Sequence, residues 1–113
     1  MSIDKGLKFL LKLGKELGFD TNNFDGYVGE ISIGSGNETI GILGHVDVVE
    51  GGDGWKTDPF QATVISETIY GRGTVDDKGP LICSLYAMKY LKEQGMIPSN
   101  KKIKMIIGTD EER

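Results

Sequence analysis

The sequence predicts an α/β fold, a mixed sheet flanked by helices, and three observations carry that expectation. Two stretches repeat apolar residues at helical spacing, shorter β-rich runs lie between and after them, and clusters of polar residues fall at or just beyond the ends of those runs. Strands alternating with longer helices pack as layers of sheet and helix. The length of 113 residues allows one small domain, and an apolar fraction of 38% suffices for a single core.

The elements follow in order. Ile3, Leu7, Leu10, Leu11, Leu13 and Leu17 recur at helical spacing, Lys8, Lys12, Lys15 and Glu16 take the other side, and Gly18 follows as a C-cap. Tyr27 to Ile33 and Thr39 to Val46 are β-rich runs separated by Gly34-Ser35-Gly36-Asn37, which predicts a hairpin. In the second run Ile40, Ile42, Val46 and Val48 share one face, while Leu43, His45 and Asp47 share the other. Apolar residues on both faces predict a strand buried in a covered sheet.

A glycine-rich loop, Glu50 to Pro59, leads to a short β stretch, Ala62 to Tyr70, and then to the segment Gly71 to Pro80. Leu81, Leu85, Met88 and Leu91, with Ile82 and Tyr86 alongside, predict a second helix with Pro80 in its first turn and Gly95 at its end. Lys102 to Ile107 is apolar enough to lie in a sheet interior covered by helices, and it runs into Gly108-Thr109-Asp110-Glu111-Glu112. No internal repeat is present.

Bulk properties narrow the function. A net charge of −4 and a pI near 4.9 argue against nucleic-acid binding, which needs clustered Lys and Arg in excess. One cysteine, Cys83, precludes an internal disulfide, and no apolar run is long enough to span a bilayer or act as a signal peptide. The expectation is a soluble cytoplasmic protein with neither nucleic-acid nor membrane partner. The seventeen glycines concentrate around the polar segments, as tight turns near a site would require.

Three polar clusters stand at strand ends or just after them: His45-Val46-Asp47, Asp76-Asp77 and Asp110-Glu111-Glu112. Each alone has an ordinary explanation, as a satisfied core histidine, a helix cap or a solvated acidic stretch. Together, on the rim where open α/β sheets bind ligands, one imidazole and several carboxylates are the donors that Zn²⁺ accepts. Asp47 lies on the same strand face as His45, where its carboxylate can hold the second imidazole nitrogen. For Glu111 and Glu112 to face one metal, the chain must leave strand geometry, which Gly108 eases. A dinucleotide-binding turn at Gly71-Arg72-Gly73 fails, because the third glycine position is Asp76, whose carboxylate would repel the anion.

The ordered set His45-Val46-Asp47-Val48-Val49, Gly52-Asp53-Gly54-Trp55 running to Pro59-Phe60, Tyr70-Gly71-Arg72-Gly73, Asp76-Asp77-Lys78-Gly79-Pro80 and Thr109-Asp110-Glu111-Glu112 resembles a known family. It is similar to the dinuclear zinc metallopeptidases that include aminoacylase, carboxypeptidase G and the succinyl-diaminopimelate desuccinylases, most of all to the PepV-type dipeptidases. The resemblance implies that His45 binds one zinc, Asp76 bridges two, Glu112 is a terminal ligand, Glu111 is the general base and Asp47 orients His45. It implies hydrolysis of dipeptides or short peptides through a metal-bridged water, and a cis bond between Asp76 and Asp77, with Asp77 itself no ligand.

The family pattern also includes a further acidic ligand, a further histidine and a lid or dimerisation domain. On that pattern residues 1–113 read as a partial zinc-peptidase catalytic domain that binds zinc weakly, with the flank of the 102–107 strand exposed. The alternative is a catalytically inactive remnant that self-associates as a homo-oligomer or pairs with a complementary chain.

Overall fold

A computed structural model describes residues 3–112. The elements are α1 (Ile3–Glu16), β1 (Asp20–Phe24), β2 (Val28–Gly34), β3 (Glu38–His45), β4 (Thr63–Ile65), β5 (Thr68–Tyr70), α2 (Lys78–Glu93) and β6 (Lys101–Gly108). Four strands form a mixed sheet in the order β1-β2-β6-β3, and β4-β5 make a separate hairpin.

Both helices end as their sequences predict. Gly18 and Gly95 take positive φ, and the amide of the following residue reaches back five positions, Phe19 to Gly14 and Met96 to Leu91, in Schellman closures. Lys92 then ties the helices together, its Nζ donating to the Leu17 and Gly18 carbonyls at 3.2 and 3.1 Å while lying over the Phe19 ring. Leu7, Leu10 and Leu11 of α1 and Leu81, Leu85 and Met88 of α2 are buried, together with Ile31 of β2 and Ile103, Met105 and Ile107 of β6. Leu7, Ile31, Leu85, Met88, Met105 and Ile107 are fully enclosed, and each contributes roughly 1.5–3 kcal/mol by leaving water.

The expected hairpin between the second and third strands does not form. Strand β6 lies between them, antiparallel to β2 and parallel to β3. The 35–37 loop therefore spans two strand spacings, about 9.5 Å, rather than one. It passes over the start of β6, where Glu38 donates its N–H to the Asn100 carbonyl. The strand richest in buried apolar residues has taken the centre.

The structure corrects two further expectations. Strand β3 is an edge strand rather than a covered one, with Ile40 48% and Leu43 80% exposed. Conversely β6 is paired on both flanks, so the bare edge falls on β3 instead. Among the described elements both helices lie on one side of the sheet, α1 against β1 and β2, α2 against β3. The smallest extent, 21 Å, suits one helix layer, about 10 Å across, on one sheet. No helix among the described residues is long and apolar enough to cross a membrane.

Strand β1, Asp20-Thr21-Asn22-Asn23-Phe24, is too polar to announce itself. Its turn, which the sequence reading also passed over, has Asp25 and Gly26 both at positive φ with Tyr27 N–H closing on the Phe24 carbonyl, the primed geometry that Asp-Gly favours. The Ala62 to Tyr70 stretch likewise divides into β4 and β5 about Ser66, whose φ is +56°.

Candidate metal centre

Parallel pairing of β3 with β6 puts His45 opposite Gly108, so the two chains leave the sheet side by side. The Val46 N–H still donates to the Gly108 carbonyl at 3.1 Å, after which the 109–112 segment turns away from strand geometry. The segment before α2 brings Asp76 and Asp77 to the same rim, joined by a cis peptide bond. The three clusters that the sequence holds far apart meet there.

His45 is the centre, 7% exposed. Its Nδ1 lies 2.9 Å from the Asp47 carbonyl oxygen, which fixes the proton on Nδ1 in the neutral ring. The Nε2 lone pair then faces Asp76 Oδ1 at 3.0 Å, Glu111 Oε2 at 3.6 Å and Glu112 Oε1 at 3.9 Å. A lone pair facing three carboxylates is unfavourable unless a positive charge lies between them or on the ring. Burial alone would lower the imidazole pKa, but the bonds to the Asp47 carbonyl and to Asp76, with the charges of Asp47 and Asp77, outweigh it and raise the pKa.

Asp47 acts differently from the sequence expectation. Its backbone carbonyl holds the imidazole, while its buried carboxylate accepts the Glu111 N–H at Oδ1 (3.2 Å) and the Glu112 N–H at Oδ2 (2.8 Å). Oδ1 also lies 3.4 Å from His45 Nδ1. Burial would raise this carboxyl's pKa, but the two amide donors, with smaller help from His45, bring it below its usual value. One side chain thus bends the double-glutamate segment back towards His45.

Glu112 is shifted upward, first by a hydrogen bond with the Asp76 carboxyl, then by burial and by the charges of Asp76 and Glu111. A cation among these carboxyls would relieve that crowding. Asp77 is the N-cap residue of α2 but makes no capping bond, and its Oδ2 instead accepts the His45 backbone N–H at 3.1 Å.

The donor set fits a divalent metal. One ligand atom each from His45, Glu111 and Glu112 can be chosen so that all lie within 4.8 Å of one another. Zinc binds N and O donors at about 2.0–2.2 Å, so two ligands of one ion lie up to roughly 4.4 Å apart, and the 3.0–3.9 Å spacings about Nε2 fall inside that span. The His45 side chain is 9% exposed and that of Glu112 23%, whereas those of Asp76 and Glu111 are 71% and 61% exposed. His45 and Glu111 line a cleft of about 500 Å³ that is also bordered by Tyr27, Val28, Leu43 and Asp77. Sequence reading missed Asp77 as a bonding partner of β3, a contact to backbone that leaves no periodic signal.

The description of peptidase family M20/M25/M40 matches residues 41–113. A putative dipeptidase, YtjP, of Bacillus subtilis (strain 168) is 49% identical over 97% of this chain and 24% of its own length. The Beta-Ala-Xaa dipeptidase of Lactobacillus delbrueckii subsp. lactis is 48% identical over 97% of this chain and 23% of its own. The chain spans about a quarter of the length of these relatives. Among solved structures, an M20 family metallo-carboxypeptidase from Sulfolobus solfataricus superposes with a TM-score of 0.81 at 31% identity, covering 94% of this chain and 25% of that one. Human carnosine dipeptidase 1 superposes with a TM-score of 0.77 at 26% identity, covering 94% of this chain and 26% of that one.

Proposed function

The chain belongs to peptidase family M20/M25/M40, and from that premise we propose that it carries part of the centre of a zinc-dependent dipeptidase. The observation that supports this most is the convergence of Asp76, Glu111 and Glu112 on the Nε2 of His45. His45, Asp76 and Glu112 would hold the metal, two zincs in a complete centre. Bound zinc supplies a Lewis acid for the scissile carbonyl and lowers the pKa of water towards neutrality.

The chain's own residues do the rest. Asp47 fixes the imidazole through its carbonyl and the glutamates through its carboxylate. The exposed carboxylate of Glu111 takes a proton from the attacking water and returns it to the leaving amine. A dipeptide or short peptide is the substrate class, as the names of the relatives suggest. The test is release of amino acids from dipeptides with zinc added, abolished by a chelator and restored by metal. Hydrolysis indifferent to both would overturn the reading.

A second reading, self-association, is favoured by the open edge of β3, where Ile40 and Leu43 are exposed. An unpaired strand edge with apolar neighbours invites pairing with another copy. Sedimentation velocity across a concentration series is expected to show a growing dimer fraction, reduced by Leu43→Lys. A single monomer at every concentration would dismiss this reading and leave the metal centre untouched.

A further inference from the structure

The two sides of the candidate centre arrive on separate segments, His45 and Asp47 at the end of β3 and Asp76 ahead of α2. Besides the contacts of His45 with Asp76 and Asp77, one backbone carbonyl joins those segments. Gly51 O accepts hydrogen bonds from Trp55 Nε1 at 2.6 Å and from Arg72 Nη2 at 3.0 Å. The Arg72 guanidinium lies over the Trp55 ring, 5.2 Å from its centroid. The Arg72 backbone N–H binds the Pro59 carbonyl, so both ends of the 51–59 loop are held by one residue.

The contact continues towards the site. Next to Arg72, Gly73 lies against Val48, where a Cβ would fall 2.8 Å from Val48 Cγ1, and its φ of +91° further favours glycine. Its carbonyl accepts the Lys78 N–H at 2.9 Å, which connects the seam to the start of α2. Arg72 therefore stitches the segment after Asp47 to the segment before Asp76. Its Nε is buried without a hydrogen-bond partner among the described residues.

We propose that Arg72 is a positioning residue for the metal centre, setting the separation of His45 and Asp76 by clamping Gly51 and Trp55 to the segment that leads to Asp76. This rests on His45 and Asp76 being metal ligands. The guanidinium is suited to the task because it is planar and donates in a fixed fork while lying over an aromatic face, a combination that a lysine ammonium cannot reproduce. Partners that orient ligands without touching the metal change affinity by about 10–100-fold when lost.

The experiment compares Arg72→Ala, Arg72→Lys and Trp55→Phe with the wild-type chain and with Leu85→Ala, a core variant remote from the clamp. Zinc affinity by calorimetry is expected to fall about 10–100-fold in both Arg72 variants. It should fall less in Trp55→Phe, which keeps the ring beneath the guanidinium. His45 is the only histidine, so in the metal-free chain one imidazole Cε1–H NMR signal at fixed pH reports its surroundings. That signal is expected to shift and broaden in Arg72→Ala and Arg72→Lys, but to stay in place in folded Leu85→Ala despite its lower melting temperature. An unmoved imidazole signal in Arg72→Lys and Trp55→Phe would overturn the proposal, even if melting temperatures drop. Should Arg72→Ala fail to fold, those two milder variants decide. Should the wild-type chain bind no zinc, the metal reading fails, and the imidazole signal still decides whether Arg72 positions His45.

Discussion

Replacing Asp47 by alanine is expected to cost about 2–5 kcal/mol of stability, because charged acceptors contribute roughly 1.5–3 kcal/mol per hydrogen bond and the amides they leave behind are unsatisfied. The carboxylate is 6% exposed and accepts both the Glu111 and Glu112 amides, so little water stands ready to replace it. Zinc affinity should fall with it, by about 10–100-fold, as the glutamates lose their orientation. The pH dependence separates this effect from a general packing loss. A carboxyl whose folded pKa is lowered stabilises the fold above its unfolded value, about 3.9, and that contribution disappears as pH falls through the lowered folded value. His45 has the opposite sign. Its raised pKa gives stability present below about 6.5 and lost as pH rises through the folded value. Urea unfolding across pH should therefore show a steep acid limb in the wild type that is flattened in Asp47→Ala. Equal acid limbs would mean that Asp47 does not carry the coupling.

Glu111→Gln is expected to lower zinc-dependent dipeptide hydrolysis by about 10²–10⁴-fold, whatever its absolute rate, since this is the usual contribution of a positioned general base. The amide keeps the size of the side chain and its backbone bond to Asp47, but it cannot accept a proton. Zinc affinity should change by only a few-fold. The two measurements together distinguish a base from a ligand. A large loss of zinc affinity with hydrolysis per bound metal unchanged would assign Glu111, 3.6 Å from His45 Nε2, to the metal instead.

Much of this was legible in the sequence because it depends on local chemistry. The periodicity of Leu7, Leu10 and Leu11 and of Leu81, Leu85 and Met88 gave both helices, since burial of a stripe is a property of spacing. The three polar clusters were identifiable as candidates; parallel pairing of β3 and β6 brings two of them together, and the segment ahead of α2 delivers the third. What sequence could not give was partner choice. Nothing in Gly34-Ser35-Gly36-Asn37 says that β6, more than sixty residues later, will enter between the strands it connects. Misplacing β6 also misplaced the sheet edge, because apolar Ile40 and Leu43 read as buried when in fact no neighbour covers them. Asp47 lies beside His45, but strand alternation speaks of side-chain faces and is silent on the carbonyl that makes the 2.9 Å bond. The Arg72, Trp55 and Gly51 contact is invisible for the same reason, since its acceptor is backbone.

The most direct test of the metal centre is calorimetric titration of the chain with zinc, run beside His45→Ala. One imidazole among exposed carboxylates should bind zinc weakly and with fewer than two equivalents, because each missing ligand lowers affinity steeply. Binding should disappear in His45→Ala while the far-ultraviolet circular dichroism of the fold is retained. Two tight equivalents per chain, or an isotherm that His45→Ala leaves unchanged, would contradict the assignment of this cluster as the metal centre.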